Sequence, residues 1–389
     1  MKQHGYGAPK DGASSSASPV VSGRRVSIWF WTPRIQEPPL KNFEGGGRLE
    51  REGSAGGVSH PRTRPNASCS GSPPWRFPRL IQRDISRNRQ SRRSFSILFK
   101  GVRMFEDFKL EMIRLPETML RVRHGGSGPP ILLLHGHPRT HTTWHKVAPI
   151  LAKNYTVICP DLRGFGKSGK PADPYDYEAS SKRAKARDCV ALMEHLGFDR
   201  FFLAGHDRGS YTAFRTAMDH QERVKKLAIL DGIPILEALE RCDFRFASRW
   251  WHWFFFAQHG KPEQAILADP LTWYGGNEAS MGRENFADFF SAIRDPLTVQ
   301  GMLGDYRAGV RVDHLHDRDD RNTGKKLTCP LHVLWSMQDD LEELYGDIRA
   351  IWQPWSTHPV SGQGIDSGHH MAEEAPSELA QALTSFFEA

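Results

Sequence analysis

Gly205-His206-Asp207-Arg208-Gly209 decides how this chain is read. The pentapeptide follows the apolar run Phe201-Phe202-Leu203-Ala204 and leads into a stretch of helical spacing from Tyr211 to His220. Strand, tight glycine-flanked turn and helix make a nucleophile elbow, which holds one strained residue exposed at the top of a parallel sheet. The usual elbow carries serine between its glycines; here the position is Asp207. A carboxylate is a poor reagent against an amide or ester carbonyl. It does displace a leaving group from a saturated carbon, because the alkyl ester so formed can be hydrolysed afterwards.

Outward from the elbow, strands alternate with helices. Phe108–Leu115 and Met119–Arg123 read as opening strands, and Ile131–Leu134 is a short, wholly apolar one, as expected where both faces of a sheet are covered. Tyr155–Pro160 is another, followed by the glycine-rich turn 161–166. Glu178–His195 has helical spacing, and Val224–Leu230 is the strand after the elbow helix. Alternation resumes with a strand at Leu331–Trp335, a helix over Leu341–Trp352, a weak strand at Val360–Ile365 and a closing helix from Pro376 to Phe387. This pattern predicts a doubly wound, mostly parallel α/β sheet. Residues 234–323 interrupt it. They are dense in aromatics (Trp250, Trp251, Trp253, Phe254, Phe255, Phe256) and predict an inserted helical cap between two core segments, 104–233 and 324–389.

Residues 1–103 are unlike the rest. They hold 19 Lys and Arg against 6 acids, a net of +13 in a chain whose total is +7, which leaves −6 for 104–389. The basic balance therefore belongs to the extension and makes no case for nucleic-acid binding. With Ser14-Ser15-Ser16, Gly45-Gly46-Gly47 and no sustained period, disorder is the expectation. A start codon assigned upstream of Met104 and a transit segment in 76–103 are the other readings. No apolar run approaches the roughly 20 residues of a membrane span. The five cysteines are scattered, without a C-x-x-C pair, and read as free thiols in a reducing, cytoplasmic setting rather than a disulfide framework or zinc site.

His135-Gly136-His137-Pro138, the elbow, Leu230-Asp231-Gly232-Ile233-Pro234, Trp251-His252-Trp253, Asp305-Tyr306-Arg307-Ala308-Gly309 and Ser367-Gly368-His369-His370 occur in this order. Together they resemble the α/β-hydrolase superfamily, in its haloacetate dehalogenase and epoxide hydrolase-like branch, from about Phe105 to the C-terminus. The resemblance implies hydrolytic dehalogenation of a small haloacid without cofactor or metal, by a homodimer. Asp207 would be the nucleophile and His369 the base that activates water, with His370 the adjacent alternative. Asp231 would orient that base, or Asp339, which follows the next strand. The amides of His137 and Arg208 would form the oxyanion hole, each donor worth about 2.7–4 kcal/mol in related chemistries. His252, Trp253 and Tyr306 match the family's halide ligands, and Arg208 its first carboxylate-binding arginine.

The chain departs from the pattern where a second arginine is expected, at Tyr211. Arg215, one turn further along, is the candidate substitute. An epoxide hydrolase is the main competing reading: such enzymes use two cap tyrosines, and here Tyr306 has Tyr274 as its candidate partner. A non-catalytic ligand receptor on the same fold is the third. His314, His316 and Asp317 could be drawn as a metal site, but their charged neighbours favour a solvated turn leaving the cap. The glycines at 164 and 166 lack phosphate-loop spacing.

Overall fold

The structure, a computed structural model, describes residues 104–173 and 175–389. The expectation of disorder for 1–103 lies outside these residues, as does Cys69. Eight strands form one sheet in the order β1-β2-β4-β3-β5-β6-β7-β8. The antiparallel edge is β1 (Lys109–Arg114) and β2 (Met119–Gly126), with β2 also antiparallel to β4 (Thr156–Pro160). From there β3 (Pro130–Leu134), β5 (Phe201–His206), β6 (Val224–Leu230), β7 (Leu331–Ser336) and β8 (Ser361–Ile365) run parallel.

Strand periodicity divides the core in two. Leu132, Leu134, Leu203, Leu227 and Ile229 pack on one face of the sheet, while Ile131, Leu133, Ala204, Ala228 and Leu230 pack on the other. Successive side chains of a strand point to opposite faces, so a strand covered on both sides must be apolar throughout, as β3 is. Truncating one such leucine to alanine costs about 2–5 kcal/mol. Cys159, Cys189 and Cys329 are buried free thiols and Cys242 is an exposed one. Among the described residues no helix is long and apolar enough to cross a membrane.

Two predicted helices are each broken in two. Ser181 is extended (φ −66°, ψ 161°) and its side chain accepts from the Ala184 amide, so a new helix starts at Lys182 and runs to His195. Gly346, at φ 70°, ends the helix Leu341–Tyr345, and the Asp347 side chain caps the next, Ile348–Trp352. Capping chemistry overrode the continuous apolar spacing at both points.

Helices fill the interval between β6 and β7, from Ile235 to Asn322. The long helix Pro296–Ala308 continues through a π-helical turn, Gly309–Asp313, into the helix His314–Asn322. The solvated turn expected around 314–317 is therefore helical. Its Asp317 is buried against Arg215 at 2.6 Å, and burial raises that carboxyl's pKa to about 6 against the pull of Arg215.

Candidate active site

Asp207 sits between β5 and the helix Arg208–Asp219 with φ 50° and ψ −117°. A left-handed conformation at a non-glycine residue costs roughly 1–3 kcal/mol and persists only where the surroundings impose it. The flanking glycines allow the turn: a β-carbon on Gly205 would meet the Gly209 carbonyl oxygen at 2.3 Å, and one on Gly209 would meet the Leu134 and His135 carbonyls at 2.5 Å. Asp231, at the end of the neighbouring strand β6, has the same left-handed backbone (φ 48°).

The loop after β3 reaches the elbow from one side. Gly136 lies against Asp207 so closely that a β-carbon there would be 2.5 Å from Oδ1. The next amide, that of His137, donates to Asp207 Oδ1 at 2.6 Å. Arg208 is the first residue of the elbow helix, where an amide has no carbonyl partner within the helix. The two predicted oxyanion donors thus flank the nucleophile candidate.

His369 reaches it from the other side. Its Nε2 is 3.9 Å from Asp207 Oδ2, and its Nδ1 hydrogen-bonds to Asp339 Oδ2 at 2.8 Å. Asp231 Oδ2 stands 3.5 Å from the same Nδ1. Both predicted acids therefore converge on one nitrogen, with Asp339 making the short bond. Asp231 is the buried member, its carboxylate held by the Ser336 amide at 2.7 Å and by the Ser336 hydroxyl. Burial alone would depress the His369 imidazolium, but the carboxylates of Asp231, Asp339 and Asp207 outweigh it and raise its pKa well above the ordinary value. His370 is buried beside it, its ring 6.1 Å from that of His206, and burial holds it far below the ordinary imidazole range.

The inserted helices close over this arrangement with aromatic rings. Tyr306 packs edge-on to His137 (centroids 5.2 Å) and to His252 (5.8 Å), and lies 6.3 Å from Trp253. All three predicted halide ligands are buried. His252 is kept neutral, its pKa pushed down to about 3 by burial and by His137.

Arg208 extends beneath these rings, its guanidinium 4.1 Å from the Tyr306 centroid, 5.0 Å from Tyr211 and 5.2 Å from Trp253. Its Nε donates to Asp305 Oδ2 and one Nη to the Asp305 carbonyl, while the other, Nη1, is buried without a hydrogen-bond partner. Asp305 also takes Lys182 and Lys185, each at 2.7 Å. Lys182 keeps a pKa of about 8, lowered by burial and by Arg208. Three cations thus share the interior with two carboxylates, Asp305 and Asp313. The pairing of Lys182 and Lys185 with Asp305 escaped the sequence reading. Lys182 and Lys185 fall in a helix whose spacing is that of an amphipathic, solvated one, and Asp305 is one charge in a motif marked by Tyr306.

Arg215 does not supply the missing guanidinium. It is buried on the far end of the elbow helix, paired with Asp219, Asp317 and Asp320. Tyr211 stays beside Arg208 and stacks edge-on to Trp253 at 5.9 Å. Among the described residues, His206, Asp231 and His369 bring potential metal-ligand atoms within 4.8 Å of one another. Two of these, His369 and Asp231, stand 3.5 Å apart as an imidazole and a carboxylate, which accounts for their proximity.

The α/β hydrolase fold family matches residues 129–341. A fluoroacetate dehalogenase from Burkholderia sp is 37% identical over 292 residues, 73% of this chain and 95% of that protein. A soluble epoxide hydrolase from Corynebacterium sp. (strain C12) is 33% identical over 270 residues, 67% of this chain and 91% of that protein. The solved structure of a protein from Nostoc sp PCC 7120, provisionally assigned as an α/β hydrolase, is 38% identical with a TM-score of 0.69, covering 73% of this chain and 99% of that one. The strand order, the strained elbow and these similarities agree: the chain belongs to the α/β-hydrolase superfamily, as a hydrolase of its dehalogenase and epoxide hydrolase-like branch.

Proposed function

We propose that the protein hydrolyses the carbon–halogen bond of small haloacids. The observation that carries this reading is the alignment of Asp207, His369 and the Asp339–Asp231 pair beside an arginine with an unpaired Nη1. Asp207 attacks the halogen-bearing carbon; the carbon–halogen bond breaks and its electron pair leaves with the halide. His369 then takes a proton from water, and the hydroxide adds to the carbonyl carbon of the new ester. The amides of His137 and Arg208 hold the resulting oxyanion. Its collapse restores the Asp207 carboxyl and releases the hydroxy acid, whose oxygen takes the proton from His369.

Selection of an acid rests on charge. Arg208, Lys182 and Lys185 all meet at the one carboxylate of Asp305, and Nη1 is free to take one oxygen of a substrate carboxylate. A buried donor left without an acceptor is costly unless a ligand atom meets it. Tyr211 in place of a second arginine supports a single-guanidinium contact and weaker recognition of haloacetate itself.

A second reading, epoxide hydrolysis, has one observation in its favour. Tyr274 and Tyr306 both pack on the His137 ring, at 5.1 and 5.2 Å, which supports a pair of phenols polarising one oxygen. Halide release from chloroacetate and fluoroacetate by the full chain, with Asp207→Asn as control, tests the first reading. Diol formation from small epoxides without any halide release would replace it with the second.

A further inference from the structure

Three polar groups at the site are buried without a hydrogen-bond partner: Arg208 Nη1, both ring nitrogens of His137, and the Tyr274 hydroxyl. The carboxylate reading uses only the first. His137 is 4% exposed, and its ring is enclosed by Phe165, Phe256, Tyr274 and Tyr306 at centroid distances of 6.5, 5.5, 5.1 and 5.2 Å. Tyr274, also 4% exposed, contributes its ring from the helix Pro270–Tyr274 of the insertion. A buried donor left unpaired costs about 1–3 kcal/mol, so two adjoining ones in a well-packed wall call for a ligand atom.

Their position says which atom. The His137 amide is on the nucleophile carboxylate at 2.6 Å, so the attached ring lies within one residue's reach of the reacting carbon. That ring borders Tyr306 and Phe256, and the His252 ring borders the same two, at 5.8 and 5.6 Å. His137 and His252 therefore border the same two rings, Phe256 and Tyr306. The geometry points to His137 and Tyr274 as two further donors to the departing halide, beside His252, Trp253 and Tyr306. This assignment rests on the haloacid reading above. A neutral imidazole keeps one N–H, and burial with Arg208 nearby holds His137 neutral, its pKa lowered to about 3. As the carbon–halogen bond breaks, negative charge grows on the halogen. Neutral donors preplaced around it stabilise that charge without attracting the substrate carboxylate away from Arg208. The requirement is greatest for fluoride, the most basic of the halides and the strongest hydrogen-bond acceptor.

Two substitutions isolate the donors. His137→Phe keeps the backbone amide and a ring that suits an aromatic cage; Tyr274→Phe removes one oxygen. Each is placed in the active full-length protein and in its Asp207→Asn form, where chloride binding is followed by the chlorine NMR linewidth. We expect each to weaken chloride binding on the order of tenfold, and to lower fluoride release from fluoroacetate more than chloride release from chloroacetate. Unchanged chloride affinity together with an unchanged fluoride-to-chloride ratio in both variants overturns the assignment. So does the absence of saturable chloride binding in Asp207→Asn. Chloride binding that depends on both side chains, without turnover of any haloacid by the unsubstituted protein, would instead overturn the haloacid reading and leave an anion site standing.

Discussion

Asp305 holds Arg208 twice, its carboxylate accepting from Nε and its own carbonyl from Nη2, and leaves Nη1 buried and unpaired. The arginine beside Asp207 is thereby fixed in direction by a residue of the insertion, itself held by Lys182 and Lys185 from the core. Core and insertion are joined through charge beside Asp207.

Asp305→Asn removes the one carboxylate that Arg208, Lys182 and Lys185 share among the described residues. Breaking a buried pair from one side costs about 3–5 kcal/mol. Denaturant unfolding should show a loss of that order. In protein that still folds, KM for a haloacid should rise more than kcat falls, since Arg208 loses its direction while the elbow and His369 are untouched. A variant of unchanged stability and KM would show that the network does not position Arg208.

His369→Ala should stop the reaction after the first displacement. Asp207 would still be alkylated, and intact mass should show a stoichiometric adduct after exposure to substrate. Turnover with unmodified mass would move the base to His370.

The pH profile follows from the three carboxylates around His369. They raise its pKa well above the ordinary imidazole value, and the base works only when deprotonated. Activity should therefore climb with pH through a limb above the usual histidine range. Asp339→Asn removes one of those charges, so the limb should move to lower pH even as the plateau rate falls. Asp231→Asn should move it in the same direction, while exchanging the acceptor of the Ser336 hydroxyl for an amide donor. A limb that stays in place in both variants would mean that neither acid acts on His369.

Tyr211→Phe should change KM for a haloacid by less than about threefold. It is the ring of Tyr211, 5.0 Å from the Arg208 guanidinium, that touches the arginine. Arg208→Lys, by contrast, replaces a planar fork with a point charge and should raise KM on the order of tenfold or more. A large effect of Tyr211→Phe would place its hydroxyl on the substrate.

The elbow turn and the strands around it were legible in the sequence because each depends on local rules. Glycines at 205 and 209 permit a turn no other residue fits, and β3 is apolar throughout because both its faces are covered. The helix break at Ser181 was lost to a continuous apolar period, since a cap is one hydrogen bond and leaves little trace in hydropathy. What only the tertiary structure decided is how distant charges are paired. Asp305 is more than a hundred residues from Lys182 and Lys185, Arg215 is as far from Asp317, and Asp231 and Asp339 meet at one nitrogen of His369. A charged residue reads as surface in any sequence, because water is its cheapest partner; only the folded chain brings a counter-charge near enough to take water's place.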